Sequence, residues 1–189
     1  LKKKKLTNKL KFVFFSRLNY DKGIMELINA IKIVNKKGYD KSFDLNIFGL
    51  FDNNPTGLNK IELFNLIKDI KNCFFKEVGY GANLTEIFSK RHIFVLPSHR
   101  EGLPKTVLEA RNFQTALLLS KIPGHNNLIN KKKLNGLYFK KKNEIELSKK
   151  IILMIKNKKK IMKFMSNSRA NLEFFSTNRV NKKFYEISK

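Results

Sequence analysis

The sequence has few of the residues that build disulfide frameworks, metal clusters or membrane spans. Its 189 residues include one cysteine, Cys73, and no tryptophan. A single cysteine excludes a disulfide framework and fits a reducing, cytosolic compartment. The longest apolar runs, at 116–119 and 151–155, are far shorter than the roughly 20 residues that a transmembrane helix needs. No secretory signal is visible, so the sequence favours a soluble or peripheral protein.

Acidic residues are also scarce, which gives the chain a formal net charge of +25 at pH 7. A strongly basic surface attracts polyanions, either nucleic acid or an anionic membrane. A simpler explanation is the codon bias of an AT-rich genome, because Lys, Asn, Ile and Phe are all abundant. The lysines are spread over every segment and no RNA- or DNA-binding motif is present. This pattern favours codon bias first, a membrane surface second, and no nucleic-acid partner.

Apolar residues make up 42% of the chain and include 17 phenylalanines, enough for the core of one α/β domain. Short apolar runs alternate with longer segments of helical periodicity, which predicts an α/β fold: a Rossmann-like parallel sheet of about six strands with crossover helices and C-terminal helices. We expect a linker or trimmed boundary at 1–10, the Rossmann-like domain at 11–157, and C-terminal helices at 158–189 that pack toward a neighbouring domain. The predicted strands, each apolar on both faces, are 12–15, 45–48, 74–78, 93–96, 116–119 and 137–139. The predicted crossover helices are 22–35, 58–70, 85–89, 104–113 and 144–155.

The loop after the first predicted strand carries an Arg and a Lys five residues apart, Arg17 and Lys22. Ligands of parallel α/β sheets bind beyond the carboxyl ends of the strands, where helix N-termini favour anions. The two cations could therefore clamp a diphosphate. They could equally be solvated side chains in a Lys-rich protein.

A second polar segment, 97–110, also runs from a strand end through a loop into a helix. Glu101 lies in its loop and Glu109 on its helix. Ionised carboxylates suit the hydroxyl groups of sugars and ribose, although Glu109 could also be an ordinary helix-surface residue. Gly102 allows close backbone approach, and the amides near Lys105, Thr106 and Val107 lie at the helix start, where they can donate to a phosphate.

With both segments in this order, the chain resembles the retaining glycosyltransferases of family 4 from Lys11 to Ile187. Their G-R-L-x-x-x-K-G motif matches Ser16-Arg17-Leu18 and Lys22-Gly23, with Ser in place of the first Gly, and their E-x7-E motif matches Glu101 and Glu109. The stretch EGLPKTVLEA is similar to members that build lipid-linked oligosaccharides, capsules and O-antigens. Further matches are Ile47-Phe48-Gly49, Val78-Gly79-Tyr80, Ile122-Pro123-Gly124 and Asn135-Gly136.

The resemblance implies the second, donor-binding half of a two-domain GT-B enzyme that transfers a sugar from a nucleotide-sugar with retention of configuration. It implies that Arg17 and Lys22 hold the donor diphosphate, that Glu101 approaches the sugar as the catalytic residue, and that Glu109 binds the ribose. Tyr80 would lie near the base, and the donor would also contact Gly102, Leu103, Lys105, Thr106 and Val107. The implied donor is a UDP-sugar, and the acceptor is a glycan or a polyprenyl-diphosphate-linked glycan. The acceptor domain would come from a missing N-terminal part or a separate subunit.

Several positions depart from the family pattern. The usual Met-Ala-x-Gly-x-Pro becomes residues 111–116, which lack that Gly and Pro, and the usual acidic residue after Pro123-Gly124 is Asn127. The rival interpretation is a non-catalytic nucleotide-binding or interaction module.

The three histidines, His92, His99 and His125, form no set with metal-ligand spacing, so neither a metal nor another cofactor is expected. His92 fits a structural role, and His99 is the better candidate of the other two to face the site. The Lys-rich segment 148–163 fits a packing helix with a solvated face, or alternatively a contact with anionic lipid.

Overall fold

A computed structural model describes residues 4–52, 54–79 and 81–175. Six parallel strands form one sheet in the order β3-β2-β1-β4-β5-β6, which confirms the predicted Rossmann-like fold class. The strands are β1 (Leu10–Phe15), β2 (Phe43–Gly49), β3 (Cys73–Glu77), β4 (Ile93–Leu96), β5 (Ala116–Ser120) and β6 (Gly136–Phe139). The helices are α1 (Ile24–Lys36), α2 (Lys60–Ile67), α3 (Leu84–Phe88), α4 (Lys105–Asn112), α5 (Glu144–Lys156) and α6 (Lys158–Asn167).

The core lies along the central strands, whose side chains are buried on both faces. All four residues of β4 and all five of β5 are buried, as expected for parallel strands covered by helices. The prediction that every strand is apolar on both faces is wrong for β3. That strand lies at the sheet edge, and its Phe74 side chain is exposed.

Helix α1 begins later than the periodicity predicts. Residues Tyr20–Lys22 form a separate 3₁₀ turn, and Gly23 follows with φ at +72°. This left-handed backbone ends the 3₁₀ turn before α1 starts at Ile24. Lys22 therefore belongs to the loop and not to the helix.

The C-terminal part of the described chain is held by a buried arginine. Arg111, on α4, is 1% exposed and donates from Nε to the Ser168 carbonyl oxygen at 2.8 Å. A second nitrogen of its guanidinium donates to the Ala170 carbonyl oxygen. Arg111 thus fastens the chain after α6 onto α4. The predicted C-terminal helices at 158–189 are represented by α6 and a short 3₁₀ turn at Leu172–Phe175, and residues 176–189 lie outside the described residues.

Two departures from the family pattern fall on left-handed backbone positions. Gln114, at the usual Gly position of the turn after α4, has φ at +53°, and Asn127 has φ at +65°. The turn after α4 therefore keeps a conformation that favours glycine, at a modest cost in backbone energy. At the other end of the chain, β1 begins at Leu10, the last residue of the predicted linker. In that linker Lys4 Nζ donates to the carbonyl oxygens of Phe88 and Arg91.

The strand order places a crevice between β1 and β4. Strand β1 pairs with β2 on one side and with β4 on the other, so β1 to β3 extend the sheet in one direction and β4 to β6 extend it in the opposite direction. Ligands of doubly wound sheets bind at this switch point, beyond the carboxyl ends of the strands. The loops that follow β1 and β4 are the two segments that carry the predicted site residues.

Candidate functional site

The loop after β1 is anchored by one buried leucine between two polar residues. Leu18 is fully buried, and its N–H donates to the Leu50 carbonyl oxygen at 2.8 Å. Asn19 caps the following turn, because its side-chain oxygen accepts from the Lys22 N–H at 3.1 Å. The anchor and the cap fix the backbone on both sides of Arg17 and Lys22.

The loops after β1 and β4 touch at a glycine. A Cβ atom added to Gly23 would lie 2.2 Å from the Pro97 carbonyl oxygen, which is far inside van der Waals contact. The His99 N–H also donates to the Asp21 carbonyl oxygen at 2.8 Å. This close approach brings the Lys of the first segment against the Glu of the second.

Lys22 and Glu101 form an ion pair that is largely shielded from solvent. The Lys22 Nζ to Glu101 Oε1 distance is 2.7 Å, and the two side chains are 15% and 11% exposed. The hydroxyl of buried Ser98 donates to the same carboxylate oxygen at 2.7 Å. Glu101 is thus held by Ser98 just after the end of β4 and by Lys22 in the loop after β1.

An open cleft of about 370 Å³ surrounds this pair. Four of the predicted residues from the two loops line it, Arg17, Lys22, Glu101 and Gly102. The cleft is polar and carries three cations, an arrangement suited to a phosphate-containing ligand. The full set of lining residues is Arg17, Asn19, Asp21, Lys22, Arg100, Glu101 and Gly102.

Helix α4 places Glu109 eight residues beyond Glu101. Its half-buried side chain has no hydrogen-bond or ion-pair partner within residues 4–52, 54–79 and 81–175. Burial raises the pKa of the Glu109 carboxyl above its ordinary value, an effect that the nearby Lys105 charge partly offsets. An acceptor that is partly desolvated and unpartnered is suited to receive ligand hydroxyl groups.

The other predicted site residues occupy different positions around this helix. Leu103 is exposed, and Lys105 and Thr106 lie in the first turn of α4, which begins without a side-chain cap. The Val107 side chain is buried, and its N–H donates to the Pro104 carbonyl oxygen at 3.1 Å. The amides of Lys105 and Thr106 are therefore better placed than that of Val107 to donate to a ligand. Tyr80 lies outside the described residues.

The three histidines lie in separate places, and none is among the residues that line the cleft. His99 pairs through Nε2 with Glu26 on α1 at 2.8 Å, away from the cleft lining. His92 is buried, and its Nδ1 accepts from the Lys11 N–H, in keeping with a structural role. His125 is fully buried, with Nδ1 bonded to the Ser120 carbonyl oxygen and Nε2 without a partner among the described residues. Burial lowers the pKa of His125.

His125 belongs to a segment that supports the Glu101 loop from below. A Cβ atom on the preceding Gly124 would lie 2.2 Å from the Glu101 carbonyl oxygen. Pro123-Gly124, one of the matches to the family pattern, therefore contacts the loop that carries Glu101.

Sequence reasoning missed four polar residues of the site. Asn19, Asp21 and Arg100 line the cleft, and Asp52 binds Arg17 from the loop after β2. Asn19 and Asp21 stand inside the first motif, so their place in the loop was a usable signal. Asp52 lies 35 residues from Arg17, and no local pattern connects them. Within the described ranges, no group of three His, Cys, Asp or Glu residues is placed to hold a metal ion.

The chain belongs to the family of glycosyl transferases group 1, whose family model matches residues 1–171. An 80-residue segment is 36% identical to the N,N'-diacetylbacillosaminyl-diphospho-undecaprenol alpha-1,3-N-acetylgalactosaminyltransferase of Campylobacter jejuni. That match covers 42% of this chain and 21% of the Campylobacter protein. The chain thus corresponds to a minor part of the relative's length.

Solved structures share the fold of this chain. A Staphylococcus aureus TarM variant in complex with Fondaparinux, alpha-GlcNAc-glycerol and UDP matches with a TM-score of 0.80 at 23% identity, covering 97% of this chain and 36% of that one. The C-terminal domain of LpcC, a glycosyl transferase group 1 protein from Francisella tularensis, matches with a TM-score of 0.71 at 24% identity. That match covers 90% of this chain and 87% of the LpcC domain. The fold is that of the second half of a GT-B protein.

Glu109→Gln is expected to leave the domain as stable as the wild type at neutral pH, or slightly more stable. Because burial raises the pKa of Glu109, the folded chain holds this proton more tightly than the unfolded chain does. Ionised Glu109 therefore lowers the free energy of unfolding as pH rises from about 4.5 through its folded pKa, and the loss is complete above that window. Glutamine carries no charge and avoids the loss.

Thermal unfolding at pH 4 and pH 7.5 tests this linkage. Any gain in the midpoint should be present at pH 7.5 and shrink at pH 4. The matched control is Glu77→Gln, at an exposed carboxylate near Lys60. A Glu109→Gln variant that is clearly less stable than wild type at pH 7.5 would contradict the account.

Proposed function

We propose that this domain binds the nucleotide-sugar donor of a retaining glycosyltransferase, with a UDP-sugar as the donor. The observation that carries the proposal is the 2.7 Å contact between Lys22 and Glu101, which joins the two motif segments in one polar cleft. UDP in the TarM complex, a protein of the same fold, supports the choice of nucleotide. The crevice position between β1 and β4 is the one that α/β sheets use for nucleotides.

Arg17 and Lys22 would bind the donor diphosphate, which gains negative charge as the sugar leaves. Charge-assisted hydrogen bonds to such a group contribute about 1.5–3 kcal/mol each. The amides at the start of α4 would add donors aimed at the same charge. These groups supply the charge neutralisation that a metal ion provides in other phosphate-transferring enzymes, so we propose that no metal or other cofactor is needed.

Glu101 and Glu109 would bind the two ends of the donor that carry hydroxyl groups. Glu101 lies in the cleft beside Lys22 and would orient the sugar as the catalytic residue. Glu109, with its unpartnered and partly desolvated carboxylate, would accept hydrogen bonds from the ribose hydroxyls. Catalysis would then rest on positioning and on stabilisation of the departing diphosphate.

The acceptor would be a glycan or a polyprenyl-diphosphate-linked glycan. The name of the Campylobacter relative states transfer to a diphospho-undecaprenol-linked sugar, which supports this class of acceptor. In a GT-B enzyme a first domain closes over the donor site and holds the acceptor. We propose that such a domain, in a longer chain or a separate subunit, completes the enzyme.

Calorimetric titration with UDP and GDP at moderate salt tests the donor proposal. We expect saturable binding with one site per chain and a preference for UDP. Binding of both nucleotides with equal affinity that disappears as salt rises would instead indicate diffuse charge attraction, and would count against a donor site.

We also propose a peripheral location on the cytoplasmic face of an anionic membrane. Residues 110–172 contain sixteen Lys and Arg residues but only two carboxylates, Glu144 and Glu146. Within this region, α6 exposes Met162 between Lys159 and Lys163. No helix of the described chain is long and apolar enough to cross a bilayer. Cations around an exposed apolar side chain suit the surface of an anionic bilayer.

Co-sedimentation with vesicles tests this surface. The double variant Lys159→Glu/Lys163→Glu is expected to weaken binding to vesicles containing phosphatidylglycerol by about tenfold or more, since each lysine near the surface contributes about 1 kcal/mol. The matched control is Lys32→Glu/Lys36→Glu on α1, with the same spacing and charge change. Equal losses in the two double variants would show diffuse attraction and would contradict a defined membrane-facing surface.

A further inference from the structure

Each cation that lines the cleft is paired with a carboxylate in the described chain. Lys22 pairs with Glu101 inside the cleft, and exposed Arg100 pairs with Asp21 at 2.7 Å. Arg17 pairs with Asp52, with 3.0 Å between Nη1 and Oδ2. A donor diphosphate must therefore replace carboxylates as counter-ions before it can use these cations.

The Arg17–Asp52 pair joins a well-held carboxylate to an exposed cation. The Asp52 side chain is 10% exposed, whereas that of Arg17 is 53% exposed. Asn19 Nδ2 donates to Asp52 Oδ2 at 3.2 Å, and Asn54 donates to Oδ1 through both its backbone and its side-chain nitrogen. Asp52 would remain in place while Arg17 exchanges partners.

Asp52 holds Arg17 from outside the cleft. Arg17 lines the cleft between the loops, but Asp52 lines a neighbouring depression formed with the loop after β2. A planar guanidinium binds a phosphate best through two parallel N–H groups, and Nη1 is already bonded to Asp52.

We propose that Asp52 competes with the donor diphosphate for Arg17, and so limits the affinity for the nucleotide and promotes its release. This inference rests on the proposed donor site. While donor is bound, Arg17 turns from Asp52 to the diphosphate. After sugar transfer, the ion pair between Asp52 and Arg17 forms again, and the nucleotide product is bound less tightly.

The test is UDP titration of wild type, Asp52→Asn, Arg17→Ala and the double variant. Asparagine keeps the shape of the side chain but loses its charge, so Arg17 is released. We expect Asp52→Asn to lower the Kd for UDP by about two- to fivefold, the range for loss of a partly exposed ion pair. The gain should vanish in the Arg17→Ala background, because non-additivity marks residues that act through one another.

Asp21→Asn is the matched control, since it removes the same charge from the partner of Arg100 at the same cleft. Equal tightening by Asp21→Asn and Asp52→Asn, or a gain that persists without Arg17, overturns competition for Arg17. Unchanged or weaker UDP binding by Asp52→Asn overturns it as well, and weaker binding shows that Asp52 positions Arg17 for the ligand. None of these three results contradicts the proposed donor site. Absence of saturable UDP binding to the wild type overturns the donor site and this inference together.

Discussion

Lys22→Ala is expected to raise the Kd for UDP by about 10- to 100-fold. The variant loses a charge-assisted contact to the diphosphate worth roughly 1.5–3 kcal/mol, and each 1.4 kcal/mol is a factor of ten. It also leaves the Glu101 carboxylate, 11% exposed in the wild-type domain, without its cation. That uncompensated charge would face the diphosphate, so both effects weaken binding.

Isothermal titration calorimetry measures this loss, and Lys36→Ala provides the control. Lys36 is an exposed lysine at the far end of α1 from the cleft, so its removal changes the net charge equally without touching the site. Circular dichroism would show that both variants remain folded. Equal weakening by the two substitutions would mean that the net charge of the domain, and no particular lysine, attracts the nucleotide.

Gly23→Ala is expected to lower the stability of the domain by roughly 2–5 kcal/mol. Part of this loss, about 1–2 kcal/mol, is the cost of a Cβ atom at φ +72°. The rest, about 1–3 kcal/mol, is the overpacking that follows when the new methyl group meets the Pro97 carbonyl oxygen, 2.2 Å away. For a domain of this size the midpoint of thermal unfolding should fall by roughly 5–15 °C.

Gly38→Ala separates these two contributions. Gly38 has φ at +80° but no atom within 4 Å of an added Cβ, so this variant carries the backbone cost alone. Thermal unfolding should show a clearly larger loss for Gly23→Ala. Equal losses would mean that the loops after β1 and β4 do not meet at Gly23 as described.

The sequence predicts the sheet well because buried parallel strands leave a strong local signal. Strand β4 was predicted with the bounds that it has, Ile93–Leu96, since its four apolar residues stand between His92 and Pro97. Prediction was weaker where position in the sheet matters. The apolar residues of β3 suggest a buried strand, but only the strand order shows that β3 is an edge with Phe74 exposed.

The candidate site was predictable in its residues more than in its contacts. The Arg-Lys and Glu-Glu spacings pointed to Arg17, Lys22, Glu101 and Glu109. Strand order accounts for the meeting of Arg17, Lys22 and Glu101 in one cleft, whereas Glu109 lies on α4 and is not among the residues that line the cleft. The contacts across the site depend on long-range geometry that no spacing encodes. Asp52 reaches Arg17 across 35 residues, and buried Arg111 reaches Ser168 across 57.

Titration of the wild-type domain and of Glu109→Ala with UDP tests the central claim most directly. The account predicts saturable binding to the wild type at moderate salt and a Kd at least about tenfold higher for Glu109→Ala, because a ribose hydrogen bond to a carboxylate contributes about 1.5–3 kcal/mol. Thermal unfolding would confirm that the variant is folded. UDP binding that is unchanged in Glu109→Ala, or no binding to the wild-type domain, would contradict the proposed donor site, in which Glu109 binds the ribose.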